Sequence, residues 1–473
     1  MEKISVFEIF KIGIGPSSSH SMGPWNAAKD CLNVFKKNKG LNSLRTIDIE
    51  LFGSLAKTGK GHGTDKAIMM GLMGYEVDTF KPKLLQKNLE SIFSEKKISI
   101  LAEKKISFDP EKNIQYNFSK ENLNHPNTLD FKISYNDGEK VIYTYYSIGG
   151  GFIQREGFEE KISRKSEIPF PIQKAEEIIK WCEKENKSLS EISLANEICW
   201  RSYEEIILSL DNIWDVMLES IYLGCMTDGE LPGGLNVKRR ASQINNNLLD
   251  NKIVNSINDW IDLIKKQDQD IDTVTNWISC FALAVNEVNA SYGRIVTAPT
   301  NGAAGVIPAV LMYFVCFKSN NEKEKIREFL LVAGEIGMLF KKGAAISAAA
   351  GGCQAEIGVS SAMAARTLAF VLGANTNQVL MAAEIAMEHH LGLSCDPIGG
   401  LVQIPCIERN TMGAMKALTA AQLALQSDPS DAKVSLDDVI KTMWETGQDM
   451  MSKYKETSEG GLAVQVSVNQ PEC

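Results

Sequence analysis

The sequence predicts an α+β N-terminal domain followed by an all-α catalytic domain. Three observations carry this. The chain has 473 residues, more than the roughly 250–300 over which a single hydrophobic core keeps growing. Strand-like alternation is confined to the first third, and helical spacing dominates the remainder. Between them Glu159–Pro171 (EEKISRKSEIPFP) carries charge and two Pro without periodicity, as a linker does. The boundaries read are 1–160 for the first domain, 161–171 for the linker, 172–459 for the helical domain and 460–473 for a C-terminal tail.

In the first domain a helix is expected over Trp25–Phe35. Arg45–Ser54 then sets Ile47, Ile49 and Leu51 at alternating positions, the pattern of a strand with one buried face. The lysine-rich stretch Lys81–Lys120 reads as surface strand and loop. Phe131–Tyr135 and Val141–Ser147 flank Asn136-Asp137-Gly138, a turn that closes a hairpin. In the second domain helical spacing runs through Ala175–Lys184, Leu189–Gly224, Val274–Asn289, Gly302–Phe317, Lys323–Phe340, Gln354–Leu372, Gln378–His389, Thr411–Leu425 and Leu436–Met451.

Composition narrows the partners. With 50 Lys+Arg against 59 Asp+Glu the net charge is −9, which lacks the basic footprint of a nucleic-acid binder. The longest apolar run, Ala303–Phe317, has 15 residues and contains a Pro, short of the roughly 18–20 a membrane span needs. The first residues lack the order of a signal peptide, so a cytoplasmic protein with reduced thiols is expected.

The cysteines divide by position. Cys31, Cys182, Cys199, Cys225, Cys280 and Cys316 lie in helical or apolar contexts and read as core thiols. Cys353, Cys395 and Cys406 fall in Gly343–Ile407, a window of 65 residues with only five charges, Glu356, Arg366, Glu384, Glu388 and Asp396. Such a window is buried, and each of the three thiols has a Gly or Pro within two residues. Their spacing matches no zinc ribbon or ferredoxin run, so on spacing alone they read as buried small residues sooner than as ligands. Cys473 ends a tail whose Leu462, Val464, Val466 and Val468 alternate with smaller or polar residues. That tail reads as an extended segment reaching about 40–45 Å.

Five histidines are present. His389 and His390 end a helix, where such side chains are common, and His125 sits in a loop. His20 closes GPSSSHSMGP, whose hydroxyls before a helix either cap it or bind a carboxylate or phosphate. His62 lies in GSLAKTGKGHGTDKA, which is neither a P-loop nor a dinucleotide fingerprint. What remains is an imidazole on a flexible turn, with Asp65 near enough to orient it as a general base.

Eight segments then align in one order: GPSSSHSMGP, GHGTD, HPN at His125–Asn127, YSIGGGF at Tyr146–Phe152, TAPTNGAAGVIPA at Thr297–Ala309, GCQAEIG, SCDPIGG and IPCIERN. Together they resemble the bacterial iron–sulfur L-serine dehydratases of the single-chain type, across essentially the whole chain. The resemblance implies a 4Fe-4S cluster held by Cys353, Cys395 and Cys406, with one iron open as a Lewis acid for the serine hydroxyl. It implies Cys473 as ligand to that iron when substrate is absent. His62 is expected to remove the Cα proton, with His20, Ser17, Ser18 and Ser19 holding the substrate carboxylate. His125, Asn127 and Ser147 are expected to line the cleft, and Thr300 and Asn301 to cap the next helix or touch substrate. L-serine is the expected partner, a homodimer the expected assembly, and neither nucleic acid nor membrane is expected. One departure stands out: relatives often carry an acid three positions before the first cluster cysteine, where this chain has Ala350.

Two rivals remain at this stage. A pyridoxal-phosphate dehydratase would need a Schiff-base lysine, for which Lys60 has the glycines but the wrong half of the chain. A non-catalytic amino-acid sensor is the other, since the family's first domain resembles regulatory substrate-binding domains.

Overall fold

The computed structural model describes residues 3–119, 124–158, 167–319 and 323–466. Five strands form the main sheet in the order Ile114–Tyr116, Leu44–Leu51, Thr128–Tyr135, Lys140–Ser147 and Ile153–Arg155. The first pair is parallel and the other three are antiparallel. The alternation read from sequence holds, with Ile47, Ile49 and Leu51 buried against Phe131, Ile133 and Tyr145. The helices Gly23–Lys39 and Thr64–Leu72 supply Trp25, Ala28, Leu32, Ile68 and Met69 to the same core.

Lys81–Lys120 is more regular than expected. It forms the helix Lys83–Glu95, the hairpin Lys97–Ile100 with Lys104–Ser107, and the parallel edge strand Ile114–Tyr116. The helix buries only Leu89 and Ile92, so lysines on its remaining faces hide the apolar period.

The second half is helical around the wholly buried run Ile357–Ala369 of the helix Ile357–Val371. Around it stand Val306–Tyr313, Lys323–Gly343, Thr376–Glu388 and Cys406–Leu425. The stretch expected as one helix over Leu189–Gly224 is two, Leu189–Ile198 and Tyr203–Cys225, because Ser202 opens a new capping box with Glu205. Ala241–Leu248 and Ile257–Lys265 form two further short helices that the sequence reading passed over.

The first residues are tied to the helical half. Ile4, Val6, Ile9 and Phe10 lie in its core, the Glu197 carboxylate accepts from Ser5 Oγ at 2.7 Å and Val6 N at 2.8 Å, and Ile12–Ile14 pairs antiparallel with Arg294–Val296. The chain then crosses to the sheet half where Asn289 Nδ2 donates to the Pro16 carbonyl at 2.8 Å. This crossing delivers the three serines and His20 to the junction. Of the linker, residues 161–166 lie outside the described residues; Phe170 is held by reciprocal hydrogen bonds with Asn196 at 3.0 and 2.8 Å.

The tail differs from its expected extended form. Leu462–Gln465 makes one helical turn, since the Asp396 carboxylate accepts the Leu462 N–H at 2.8 Å and satisfies its first donor. Residues 467–473, including Cys473, lie outside the described residues.

Candidate active site at the junction of the two halves

On the helical side, Cys353 opens a short turn after Gly352, whose φ is +75°. A side chain at Gly352 would lie 2.7 Å from the Leu393 carbonyl, so glycine lets the Cys353 turn approach the loop that carries Cys395. Cys395 is clamped by backbone: its N–H donates to Tyr454 O at 2.8 Å and its carbonyl accepts from Glu456 N at 2.9 Å. Cys406 is the first residue of the helix Cys406–Leu425, five residues earlier than expected. All three thiols are buried and none is in a disulfide.

One turn along that helix, Arg409 binds the set together. Its guanidinium donates to Cys353 Sγ at 3.3 Å, to Ser394 O at 2.8 Å and to Asp396 Oδ1 at 2.7 Å. The Cys353 thiol is drawn down to about 7, chiefly by the hydrogen bond it takes from the Cys395 thiol, with the Arg409 cation adding to it against burial. Cys395, which gives that hydrogen bond, is pushed well above the ordinary thiol range, and burial does the same to Cys406.

On the sheet side, Ser17 caps a single wide helical turn, Ser18–Met22, by accepting from His20 N at 3.1 Å. Ser18 and Ser19 are buried in that turn, and Ser17 Oγ meets Ser19 Oγ at 3.2 Å. The Ser54 hydroxyl donates to Glu456 O at 2.7 Å, so its contact with His20 Nε2 at 3.0 Å is one it accepts. His20 therefore carries its proton on Nε2, and its Nδ1 accepts from Ser19 Oγ at 2.9 Å.

His62 stacks on His20, ring centroids 4.5 Å apart and planes 27° from parallel. Its Nδ1–H donates to the Thr58 carbonyl at 2.8 Å, which leaves Nε2 with a lone pair. That atom is buried without a hydrogen-bond partner. Burial pulls the imidazole down to about 4, so the His62 ring is neutral at pH 7. Asp65 does not orient it: its Oδ1 accepts from Lys66 N at 2.9 Å, and the Thr58 carbonyl does the orienting. The loop is pressed against the helical half at Gly61, where a Cβ would lie 2.6 Å from the Gly400 carbonyl.

The other residues singled out from sequence stand one step back. Ser147 Oγ donates to the Ser19 carbonyl at 2.7 Å, and Asn127 Nδ2 to the Ser147 carbonyl at 3.3 Å. His125 is half-buried and accepts from Asn127 N at 3.0 Å; it holds a turn and is absent from the histidine pair. Thr300 and Asn301 do not cap a helix, because the helix expected from Gly302 starts at Val306 and Asn410 Oδ1 accepts its leading Gly305 N–H at 3.0 Å. Asn301 instead donates to Ile14 O and Asn289 Oδ1, both at 3.1 Å, across the junction. Lys60 is exposed.

Three residues that sequence reasoning missed complete the site. Arg409 lies three positions after Cys406, one turn away, a helical spacing that could have found it. Glu356 is one of the few charges in the charge-poor window; its carboxyl is pushed up to about 8 by burial and the neighbouring Cys353 thiol. Glu456, in KETSEGG, carries no local signal. It projects Oε1 to 3.5 Å from His20 Nδ1 and 3.6 Å from His62 Nε2, and burial and the charge of Glu356 push it well above the carboxylate range. His20, His62 and Glu456 bring three metal-capable atoms within 4.8 Å of one another. Nearly parallel rings cannot both aim an in-plane lone pair at one ion, so the trio is better suited to proton chemistry than to a metal.

The two halves match two family models: residues 5–158 the serine dehydratase beta chain, and residues 182–463 the serine dehydratase alpha chain. The chain is 44% identical over 467 residues to L-serine dehydratase 2 of Escherichia coli, covering 98% of this chain and 99% of that protein. It is equally similar to an L-serine dehydratase of Streptomyces coelicolor, with the same coverage. One from Helicobacter pylori is 43% identical over 473 residues, 98% of this chain and 99% of that protein. With both halves matched in order on one polypeptide, the chain belongs to the serine dehydratase family.

Proposed function

We propose that the protein is an L-serine ammonia-lyase, converting L-serine to pyruvate and ammonia. The observation that carries this is the meeting of three free thiols from one half with two stacked imidazoles from the other, in a chain whose full-length relatives are named L-serine dehydratases. Three buried thiols, one of them hydrogen-bonded to the Arg409 guanidinium, are soft donors of the kind iron–sulfur clusters take. Cys353, Cys395 and Cys406 would hold a 4Fe-4S cluster, and Cys473 is assigned its fourth iron, in the absence of substrate, on the resemblance alone. When bound, the cluster supplies a Lewis-acidic iron for the departing hydroxyl, worth several kcal/mol of charge stabilisation.

The chain's own residues do the rest. The hydroxyls of Ser17, Ser18 and Ser19 and the His20 turn take the substrate carboxylate. His62 Nε2 receives the Cα proton, since Thr58 fixes the tautomer and burial keeps the ring neutral. The C–H electron pair becomes the new C=C bond as hydroxide leaves Cβ. The product, 2-aminoacrylate, tautomerises and hydrolyses in water to pyruvate and ammonia. The burial of His62 at the junction keeps bulk water from the base.

The test is an anaerobic assay of serine-to-pyruvate conversion on protein whose iron and sulfide are quantified together. Pyruvate formation that scales with iron and sulfide in equal amounts is expected. Cluster-loaded protein that makes no pyruvate under argon overturns the reading.

A further inference from the structure

Glu456 is a buried carboxyl group set against both imidazoles. Its Oε1 lies between the two imidazoles, while Oε2 is buried without a hydrogen-bond partner. Among the described residues no Lys or Arg forms an ion pair with it, and the charges that act on it most are those of Glu356 and Cys353, both anionic when ionised. Arg409, the cation nearest the cysteines, is taken up by Asp396 and Cys353. A buried carboxylate with no cation costs several kcal/mol in its charged form. Folds keep such a group where a ligand completes it.

The backbone is built to hold it there. Glu456 adopts φ +56°, a left-handed conformation uncommon for a residue with this side chain. Its N–H is taken by Cys395 O at 2.9 Å, and its carbonyl accepts from Ser54 Oγ at 2.7 Å and Thr58 Oγ1 at 3.4 Å. Glu456 is thereby fixed to a cysteine of one half and to the partner of each histidine in the other. No other residue described here is tied to both sets.

We infer that Glu456 is the residue that binds the α-ammonium group of the substrate, through the oxygen that has no partner in the protein. The inference rests on the proposed reaction for the identity of the amino acid, and it fixes the orientation of that substrate. With the carboxylate at Ser17–Ser19 and the ammonium at Glu456, the Cα–H points to His62 and the hydroxymethyl group to the cysteine loops. Hydroxy acids without an amino group lack the cation and are discriminated against at this residue.

The test compares ligands that differ only in the ammonium group. In Glu456→Gln, KM for L-serine rises about 10- to 100-fold, the loss expected for a hydrogen bond to a charged group, while the inhibition constant of 3-hydroxypropionate changes less than about 3-fold. Glu456→Asp keeps the carboxyl group and restores part of the discrimination. A fall in kcat with KM unchanged, or an equal loss for both ligands, overturns the inference. Calorimetry of cluster-loaded protein with L-alanine and propionate reads the same contrast without turnover. If the wild type binds the two alike, the inference fails whatever the reaction; if it prefers alanine and Glu456→Gln does not, the inference stands even where no pyruvate is made from serine.

Discussion

On the helical face of the junction, Cys353, Cys395 and Cys406 sit on turns dictated by their own neighbours: Gly352 before the first, Pro397 two residues after the second, Pro405 before the third. On the sheet face, His20 and His62 owe their orientation to groups far away in the chain. His20 is fixed by Ser54, 34 residues on, and Ser54 by Glu456, 402 residues further. Three thiols can thus be gathered by local turn chemistry, whereas orienting two imidazoles against them requires both halves to dock. The faces should fail differently when broken.

The largest effect is expected on the helical face. Cys353→Ser replaces the thiol that Arg409 contacts, and iron content should fall together with activity, by about 10³-fold or more if the metal's share of catalysis is lost. The sheet core, which shares no residue with the Cys353 surroundings, should keep its stability in chemical denaturation. His62→Ala should break the opposite way: kcat falls about 10²- to 10⁴-fold, as for loss of a general base, with the visible spectrum of the loaded protein unchanged. Iron loss in His62→Ala, or retained iron with full activity in Cys353→Ser, would remove the distinction between the faces.

The same histidine variant sharpens the comparison through pH. In the unfolded chain His62 takes up a proton near its ordinary 6.5, but burial delays this to about 4 in the fold. Between those values the unfolded state binds the extra proton, so stability rises with pH across the window. The contribution is fully present above 6.5 and is lost as pH falls toward 4. It amounts to about 3 kcal/mol for this shift. His62→Ala should therefore lose less stability than wild type between pH 7 and pH 4.5, measured by urea denaturation. Parallel curves would mean that His62 is solvated.

The two faces also differed in how far they could be read. The sheet half's strands were legible because one buried face imposes a period of two, and the buried Gly343–Ile407 window because charge is scarce in it. Lys83–Glu95 was not, since two buried residues leave too short an apolar stripe to register. The three thiols and two histidines were legible because their residue types are rare and flanked by Gly, Pro or Ser. Glu456 was not, because a glutamate among Lys455, Thr457 and Ser458 looks like any surface loop. Its burial is created only when the loop crosses from Cys395 to Ser54. Asp65 failed for the converse reason: proximity in sequence suggested an orienter, while the carbonyl of Thr58, one helical turn before His62, accepts the Nδ1–H hydrogen bond.

The smallest effect is expected one shell behind the histidines. Ser147 Oγ donates to the Ser19 carbonyl at 2.7 Å, and both residues are fully or nearly fully buried. Removing the hydroxyl leaves that carbonyl without this donor, a cost of about 1–3 kcal/mol for a buried group. Ser19 Oγ in turn reaches His20 Nδ1 at 2.9 Å, so a shift of the Ser19 backbone would loosen the proposed carboxylate grip and leave His62, the proposed base, in place. Ser147→Ala should then raise KM for serine about 5- to 20-fold, a loss on the order of 1–2 kcal/mol, with kcat within about 3-fold. If kcat falls and KM holds, Ser147 supports the base and the separation between carboxylate grip and proton transfer on the sheet face is wrong.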